Sequence, residues 1–328
     1  MQGFVPVNAD PTSEELTVRP SAVSISSAQR HHGALWRWLE QKSLVIPVTV
    51  LLFGVTIFPL IYSLAVSLHI YDLRQEVLWK FSGLENYRIA LFEDARFWGS
   101  LFTTLRIGVA AVTIEFLLGL GIALLLYGPI IGRRFFTTLL ALPVMVSPVV
   151  SALIFRMMLH EKYGVINGTL NMIITHFGLG KEFAILADQR WAIWAVVLTD
   201  VWQWTPLMIM ILLAGLQSMP LEPLEAARVD GAGRWQTFWY VMLPMLRLAI
   251  FAALLLRFID VLKTFDLPFI LTGGGPGRAT ETISIYIYLN GFRYLRMGYA
   301  TAMSYLLLVL TVVLSTIFIR NVVQRRSV

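Results

Sequence analysis

Cysteine is absent from this sequence, and charged residues make up only 14% of it. The absence of cysteine excludes disulfides, iron–sulfur clusters and zinc sites built on thiolates. The five histidines show neither the HExxH nor the HxxxH spacing, so they give little support to a histidine metal site. We therefore expect this chain to hold no metal and no cofactor.

The scarcity of charge also bears on the class of protein. Soluble domains carry about 25% charged residues, whereas this chain is 57% hydrophobic and has a mean hydropathy of +0.70. Most of its surface is therefore expected to face lipid, which predicts an integral membrane protein. The net charge of +6 does not indicate nucleic-acid binding, because the basic residues are scattered between apolar runs rather than gathered on one face.

Six apolar stretches are long enough to cross a membrane, for which a helix needs about 20 residues. They cover residues 43–68, 101–127, 136–158, 191–217, 245–271 and 298–319. Pro143 and Pro148 interrupt the third stretch and Pro206 lies in the fourth, which predicts kinks. The expected fold is all-α, with six transmembrane helices over residues 43–323, a polar tail at 1–42 and a short end at 324–328.

The distribution of lysine and arginine predicts which side of the membrane each segment faces, because cytoplasmic segments carry an excess of both. With the N-terminus inside, the cytoplasmic segments contain Arg19, Arg30, Arg37, Lys42, Arg133, Arg134, Arg228, Arg234, Arg320, Arg325 and Arg326. The basic residues of the outer segments are diluted by acidic ones. We therefore expect both termini to be cytoplasmic, together with the charged segment between the fourth and fifth stretches.

That charged segment reads EAARVDGAGRWQTFWYVMLP over residues 225–244. Just before and within it, Pro223 suits the first turn of a helix, and Glu222 and Glu225 are favoured at the positive end of the helix dipole. Gly231 is able to end the helix in the left-handed conformation. These signals predict a short helix along the membrane surface that offers a compact knob to a partner.

The same segment resembles the EAA loop of permease subunits from binding-protein-dependent ABC importers. The matching residues are Glu225, Ala226, Ala227, Asp230, Gly231, Ala232, Leu243 and Pro244. Three further segments resemble the carbohydrate branch of that family: FSGLENYRIALFEDARFWGSL, LTGGGPGRATETISIYIY and GYATAMSYLLLVL. The resemblance covers residues 43–323 and implies the type I ABC importer permease fold, with a cytoplasmic coupling helix within residues 219–244.

The resemblance implies transport rather than catalysis. Such a subunit lies in the inner membrane of a bacterium and forms half of the pore for a sugar, sugar derivative or polyol. It pairs with a second permease subunit as a heterodimer, with two ATP-binding subunits that hydrolyse ATP, and with a solute-binding protein outside. The residues expected to contact an ATP-binding subunit, with Glu225 as the charged contact, are Glu225, Ala226, Ala227, Arg228, Asp230 and Gly231.

Ionisable residues inside apolar stretches are costly and usually mark a pathway or a buried pair. The fifth stretch contains Arg257, Asp260, Lys263 and Asp266, which alternate in sign at a spacing of three, so helical neighbours can neutralise one another. Two interpretations stay open: a self-neutralising ladder, or side chains that line a translocation path. Glu115, in the second stretch, is interpreted as a packing or pairing group.

The fourth stretch adds polar and aromatic candidates. Asp200 and Gln203 share a helix face, and the indole of Trp202 suits stacking on a sugar ring, although tryptophan is also common at the membrane interface. The resemblance places the sugar site between the fourth, fifth and sixth spans. The substrate-pathway candidates are therefore Asp200, Trp202, Gln203, Asp260 and Lys263.

Other functions find less support. GGGPG at residues 273–277 lacks the Gly-Lys-Ser/Thr ending of a phosphate-binding loop, so we interpret it as a turn on the outer side. The main alternative is an ATP-independent secondary carrier that uses the intramembrane aspartates and lysine, although no internal repeat is visible. A membrane-embedded enzyme would depend on Asp200 and Asp260, which lack motif surroundings. A permease for amino acids or peptides stays open within the family.

Overall fold

The structure is a computed structural model that describes residues 45–74, 79–178 and 184–323, with side chains up to residue 320. The predicted terminal segments 1–42 and 324–328 lie outside these residues. The chain divides into two compact units, Met1–Pro59 and Leu60–Val328. The first unit contains helix α1 (Val45–Leu52) and a π-helical turn, Phe53–Ile57. Helix α2 (Phe58–Ser67) begins there and ends in the second unit.

Among its described residues, the second unit contains helices and one antiparallel strand pair, β1 (His69–Ile70) and β2 (Lys80–Phe81). Its helices after α2 are α3 (Glu85–Arg88), α4 (Ala95–Tyr127), α5 (Arg133–Met145), α6 (Pro148–Met158), α7 (Val165–His176), α8 (Gln189–Gln217), α9 (Glu222–Val229), α10 (Arg234–Thr237), α11 (Leu243–Leu262), α12 (Asp266–Thr272), α13 (Ile283–Tyr288) and α14 (Met297–Val323). π-Helical turns follow α3, α10 and α13 at Ile89–Glu93, Phe238–Met242 and Leu289–Arg293. The predicted all-α class is confirmed.

Helix α8 lies at the centre of the second unit, where α4 and α11 both pack against it and against each other. Glycine permits a close approach of α4 and α8: a Cβ at Gly119 of α4 would lie 2.7 Å from the Cβ of Met208 in α8. Small residues of this kind are typical where helices pack inside a membrane. In the most apolar window of α8, 67% of the residues are buried, but in that of α14 only 11% are. The peripheral helix α14 therefore keeps its apolar surface free for lipid or a partner.

The predicted count of six membrane spans can be compared with the helices of the described residues. In the part of the chain that the structure describes, four helices are long and apolar enough to cross: Val45–Ser67, Ala95–Tyr127, Gln189–Gln217 and Met297–Arg320. The third predicted span is instead two helices, α5 and α6, which meet at 91° and make a fifth crossing only if they form one span. The fifth predicted span is interrupted as well, because α11 ends at Leu262 and α12 begins at Asp266. The described residues therefore do not confirm the count of six.

Proline explains both interruptions. Pro148 disfavours the helical conformation at Ser147, whose ψ is 136°, so α5 stops before it. The Gln203 Nε2 of α8 donates hydrogen bonds to the carbonyl oxygens of Pro143 and Val146 at 2.8 and 2.7 Å, which satisfies the backbone at this break. Near the second break, Pro268 has no N–H to donate to the carbonyl four residues earlier, so a continuous helix is disfavoured there too.

Candidate functional site

The charged segment forms the helix that the sequence predicts. Helix α9 covers Glu222–Val229, with Glu222 and Glu225 in its first turn and Arg228 in its last, as the helix dipole favours. Gly231 follows with a φ of 80°, in the left-handed region that closes a helix. The predictions of a short helix and of a turn at Gly231 are confirmed.

The two sides of α9 differ in exposure. Leu224 and Ala227 are buried against the rest of the chain, whereas Glu225, Ala226 and Arg228 are exposed. The sequence predicts that Ala226 and Ala227 both allow close approach of a partner. Because Ala227 is buried within this chain, only Ala226 has its methyl group free for that contact.

Arg257 of α11 is the centre of a buried ion cluster. Its Nε and Nη2 donate to the two carboxylate oxygens of Glu115 in α4 at 2.7 and 2.8 Å. Nη2 also donates to Asp200 in α8 at 2.7 Å, and Nη1 donates to Asp260 at 2.9 Å. The Trp204 ring covers the guanidinium, with Cζ 4.9 Å from the ring centroid. One cation thus joins three helices.

The cluster is closed at one end and open at the other. Side-chain exposure rises from 0% at Glu115 and 1% at Arg257 to 11% at Asp200, 38% at Asp260 and 68% at Lys263. At the open end, the Lys263 Nζ lies 3.6 Å from an Asp260 oxygen. Buried charges have to be paired, and Arg257 pairs the buried carboxylates. Asp260 and Lys263, at the open end, remain accessible from outside the helix bundle.

The predicted charge ladder in the fifth stretch is present in part. Arg257 pairs with Asp260, and Asp260 pairs with Lys263, as the spacing of three indicates. Asp266 begins α12 beyond the break and forms no ion pair within the described part of the chain. The sequence did not identify the main partner of Arg257. Glu115 is 142 positions away from Arg257 in the chain. Its only signal in the sequence was that it is a carboxylate at membrane depth, and its interpretation as a pairing group rested on that signal.

The remaining candidates of α8 lie in different surroundings. Trp202 is 40% exposed, and its ring centroid lies 5.3 Å from that of Phe155 in α6. Gln203 is buried and uses its Nε2 at the break between α5 and α6, while its Oε1 has no hydrogen-bond partner among the described residues. Gln203 and Asp200 therefore lie inside the helix bundle, whereas Trp202 lies on its surface.

A cavity of about 590 Å³ lies at the end of α4 that is farthest from α9, which we call the distal end. One wall carries Asp72, which accepts hydrogen bonds from Arg74 at 2.9 and 2.6 Å. This guanidinium lowers the pKa of Asp72 to about 2, so the carboxylate is ionised at neutral pH. The sequence did not single out either residue.

Asp94, which precedes α4, forms the floor of the same cavity. One carboxylate oxygen accepts the N–H groups of Arg96 and Phe97, and the other accepts the hydroxyl groups of Tyr286 and Tyr299. Burial by itself would raise the pKa of Asp94, but these hydrogen bonds outweigh it and lower the pKa.

Across the described ranges, no group of three histidine or acidic side chains is arranged to hold a metal ion.

Residues 115–328 match the family model described as the binding-protein-dependent transport system inner membrane component. The chain is 34% identical over 291 residues to the sulfoquinovosyl glycerol transport system permease protein SmoG of Agrobacterium fabrum, which covers 87% of this chain and 92% of that one. It is 33% identical over 277 residues to the trehalose/maltose transport system permease protein MalF of Thermococcus litoralis, which covers 84% and 91%. The trehalose transport system permease protein SugA of Mycobacterium tuberculosis is 35% identical over 277 residues, covering 84% and 86%.

The fold is also similar to chains of two solved structures. One is a bacterial alginate ABC transporter in complex with an alginate pentasaccharide-bound periplasmic protein, with a TM-score of 0.71 and 22% identity over 87% of this chain and 95% of that one. The other is a bacterial ABC transporter involved in the import of alginate, with a TM-score of 0.72 and 23% identity over 89% and 98%. This likeness confirms the predicted permease fold.

Proposed function

The chain belongs to the family of binding-protein-dependent transport system inner membrane components, and from this premise we propose that it carries a sugar or sugar derivative into the cell at the expense of ATP hydrolysed by a separate subunit. It is a multi-pass permease of the inner membrane. The substrate class is supported by its relatives, whose names specify trehalose, maltose and sulfoquinovosyl glycerol. In the proposed importer, this chain forms a heterodimer with a second permease subunit. Two ATP-binding subunits and a solute-binding protein outside bind to this heterodimer.

The observation that carries the coupling role is the exposed side of α9. Glu225, Ala226 and Arg228 are exposed while the opposite side of the helix is anchored in the chain. The neighbouring apolar side chains of Val229 and Trp235 are 87% and 74% exposed, and exposed apolar groups beside charged ones are typical of a protein-binding surface. In the proposed complex, Glu225 and Arg228 bind charged groups of an ATP-binding subunit, and Ala226 allows its backbone to approach.

Three further residues of this segment have supporting roles in the proposal. Ala227 anchors α9 from its buried side, Asp230 lies on the exposed rim, and Gly231 supplies the turn. With α9 in the cytoplasm, both termini are cytoplasmic and the distal end faces the solute-binding protein. This orientation agrees with the excess of arginine on the α9 side.

For the substrate pathway, the exposure of the ion cluster favours its open end. Asp260 and Lys263 are accessible, and both offer hydrogen-bonding groups to sugar hydroxyls. Arg257 holds Asp200 behind them, and we assign Asp200 as a second, more deeply buried contact. Gln203 and Trp202 complete the proposed set. The buried Gln203 positions the break between α5 and α6, and the exposed Trp202 indole offers a ring for sugar stacking.

The test is affinity purification of the complex from native membranes. Wild type is expected to recover an ATP-binding subunit and a second permease, whereas Glu225→Lys is expected to lose the ATP-binding subunit alone. Glu161→Lys is the matched control, because Glu161 is also exposed but lies in the loop between α6 and α7. Failure of wild type to recover any ATP-binding subunit would overturn the proposal and favour a secondary carrier. Equal loss in both variants would assign the effect to charge reversal in general.

A further inference from the structure

At the break between α11 and α12, the Thr264 carbonyl lacks its helical partner. In a continuous helix the Thr264 carbonyl would accept from the N–H four residues later, but that residue is Pro268, which has none. The hydroxyl of Thr282 donates to this carbonyl instead, at 3.2 Å. Thr282 lies outside α11 and α12, in the loop between α12 and α13, which we call the distal loop. The break is therefore held by this loop rather than by α11 or α12.

Thr282 belongs to three consecutive polar residues whose side chains are all buried. Thr280, Glu281 and Thr282 are 0%, 5% and 0% exposed. The Thr280 hydroxyl donates to the Gly275 carbonyl at 2.9 Å and lies 2.6 Å from the Thr272 hydroxyl oxygen. The Thr280 side chain thereby holds the glycine-rich turn, GGGPG, against the end of α12. The position of Thr280 therefore depends on the conformation of that turn.

The middle residue fixes the same segment to the start of α4. The Glu281 carboxylate accepts two hydrogen bonds from Arg96 at 2.8 and 2.6 Å and one from the Ser100 hydroxyl at 3.1 Å. One residue further on, the Ile283 N–H donates to the Thr104 hydroxyl at 2.8 Å. Residues 280–282 therefore contact the glycine-rich turn, α4 and the break in one short run, and we call them the distal clamp.

We propose that Thr282 is a positioning residue that couples the distal loop to the translocation path through the break. The proposal rests on the proposed function, in which the distal end meets the solute-binding protein. Lys263 is adjacent to Thr264, and Asp260 lies one turn earlier on α11, so displacement of the clamp moves the open end of the ion cluster. Helix α11 begins at Leu243, directly after the turn that follows α10, so the same displacement reaches the α9 segment. Hinges of this kind are a few residues at the ends of elements.

The experiment uses the whole purified complex in lipid vesicles, with the solute-binding protein isolated together with the sugar that it retains. The measured quantity is the stimulation ratio, meaning ATP hydrolysis with the solute-binding protein divided by hydrolysis without it. Thr282→Val keeps the side-chain shape but removes the hydroxyl, and it is expected to lower the ratio about fivefold, since one hydrogen bond contributes about 1 kcal/mol. Thr282→Ser keeps the hydroxyl and is expected to retain the ratio. Basal hydrolysis is expected to be unchanged in both variants.

A second substitution separates coupling from simple satisfaction of the backbone. Pro268→Ala supplies an N–H for the Thr264 carbonyl, so it is expected to restore the part of the stability of a Thr282→Val protein that this carbonyl accounts for, without restoring its stimulation ratio. The remaining loss comes from α13, whose N-cap is Thr282, because the Thr282 hydroxyl also accepts from the Ile285 N–H at 3.4 Å. Restoration of both would overturn the proposal, because capping alone would then explain Thr282. An unchanged ratio in Thr282→Val would overturn it as well. Wild type that fails to bind or stimulate an ATP-binding subunit refutes the proposed function instead, so the two failures are distinguishable.

Discussion

Replacing Arg257 by methionine tests the energetic role of the buried cluster most directly. Methionine retains an unbranched apolar side chain but removes the guanidinium that binds Glu115 at two oxygens and Asp200 at one. Glu115 is 0% exposed, so its carboxylate would be stranded without a cation or water. Removing one partner of a buried ion pair costs about 3–5 kcal/mol, and we expect a loss of this size in the free energy of unfolding.

The assay is unfolding of the purified chain in mixed detergent micelles, followed by the fluorescence of its 10 tryptophans. The double variant Arg257→Met/Glu115→Met removes the stranded carboxylate as well, and is expected to regain stability relative to Arg257→Met. The matched control is Lys263→Met. Its side chain is 68% exposed and its ammonium lies 3.6 Å from an Asp260 oxygen, so we expect a change of at most about 1 kcal/mol.

Two results would refute this reasoning. If Arg257→Met were as stable as Lys263→Met, the burial of the guanidinium would not determine its contribution. The second is a double variant that is less stable than Arg257→Met by as much as Glu115→Met alone is less stable than wild type. A double-mutant cycle would then give no interaction energy, so the two residues would act independently.

Three further predictions follow from local geometry. Gly119→Ala places a Cβ 2.7 Å from a methionine Cβ of α8 and is expected to cost about 1–3 kcal/mol. Gly121→Ala, with nothing within 4 Å, is expected to keep or slightly raise stability, because alanine favours a helix more than glycine does; the same unfolding assay compares them. Gly231→Ala is expected to lower stability by about 1 kcal/mol because its φ is 80°, while Gly231→Asn is tolerated better; similar losses in both would contradict this explanation. The guanidinium of Arg74 lowers the pKa of Asp72 to about 2, so its stabilisation is complete above the unfolded pKa of about 3.9 and disappears as the pH falls through 2. Thermal midpoints of wild type and Asp72→Asn should therefore differ at pH 5 and converge towards pH 2; a constant difference would argue against this assignment.

The features that could be predicted from the sequence are those that depend on neighbouring residues. A long apolar run in lipid has to satisfy its backbone hydrogen bonds within the segment, so it predicts a helix regardless of its neighbours. Helix α9 is local in the same sense. Its acidic first turn and the glycine at position 231 specify where it starts and ends, and both were predicted. The pairing of Arg257 with Asp260 also follows from helical spacing.

The features that only the tertiary structure decided involve partners distant in the chain. Glu115 and Arg257 meet because α4 and α11 both pack against α8, and the rotation and depth of those helices depend on packing across the whole unit. The breaks are a mixed case. Proline predicted the kink of the third span, whereas the break near Pro268 in the fifth span was not predicted. Whether the chain bends or breaks at a proline depends on whether another element satisfies the freed carbonyls. Gln203 does so from α8 and Thr282 from the distal loop, and no local pattern in the sequence joins either donor to its acceptor.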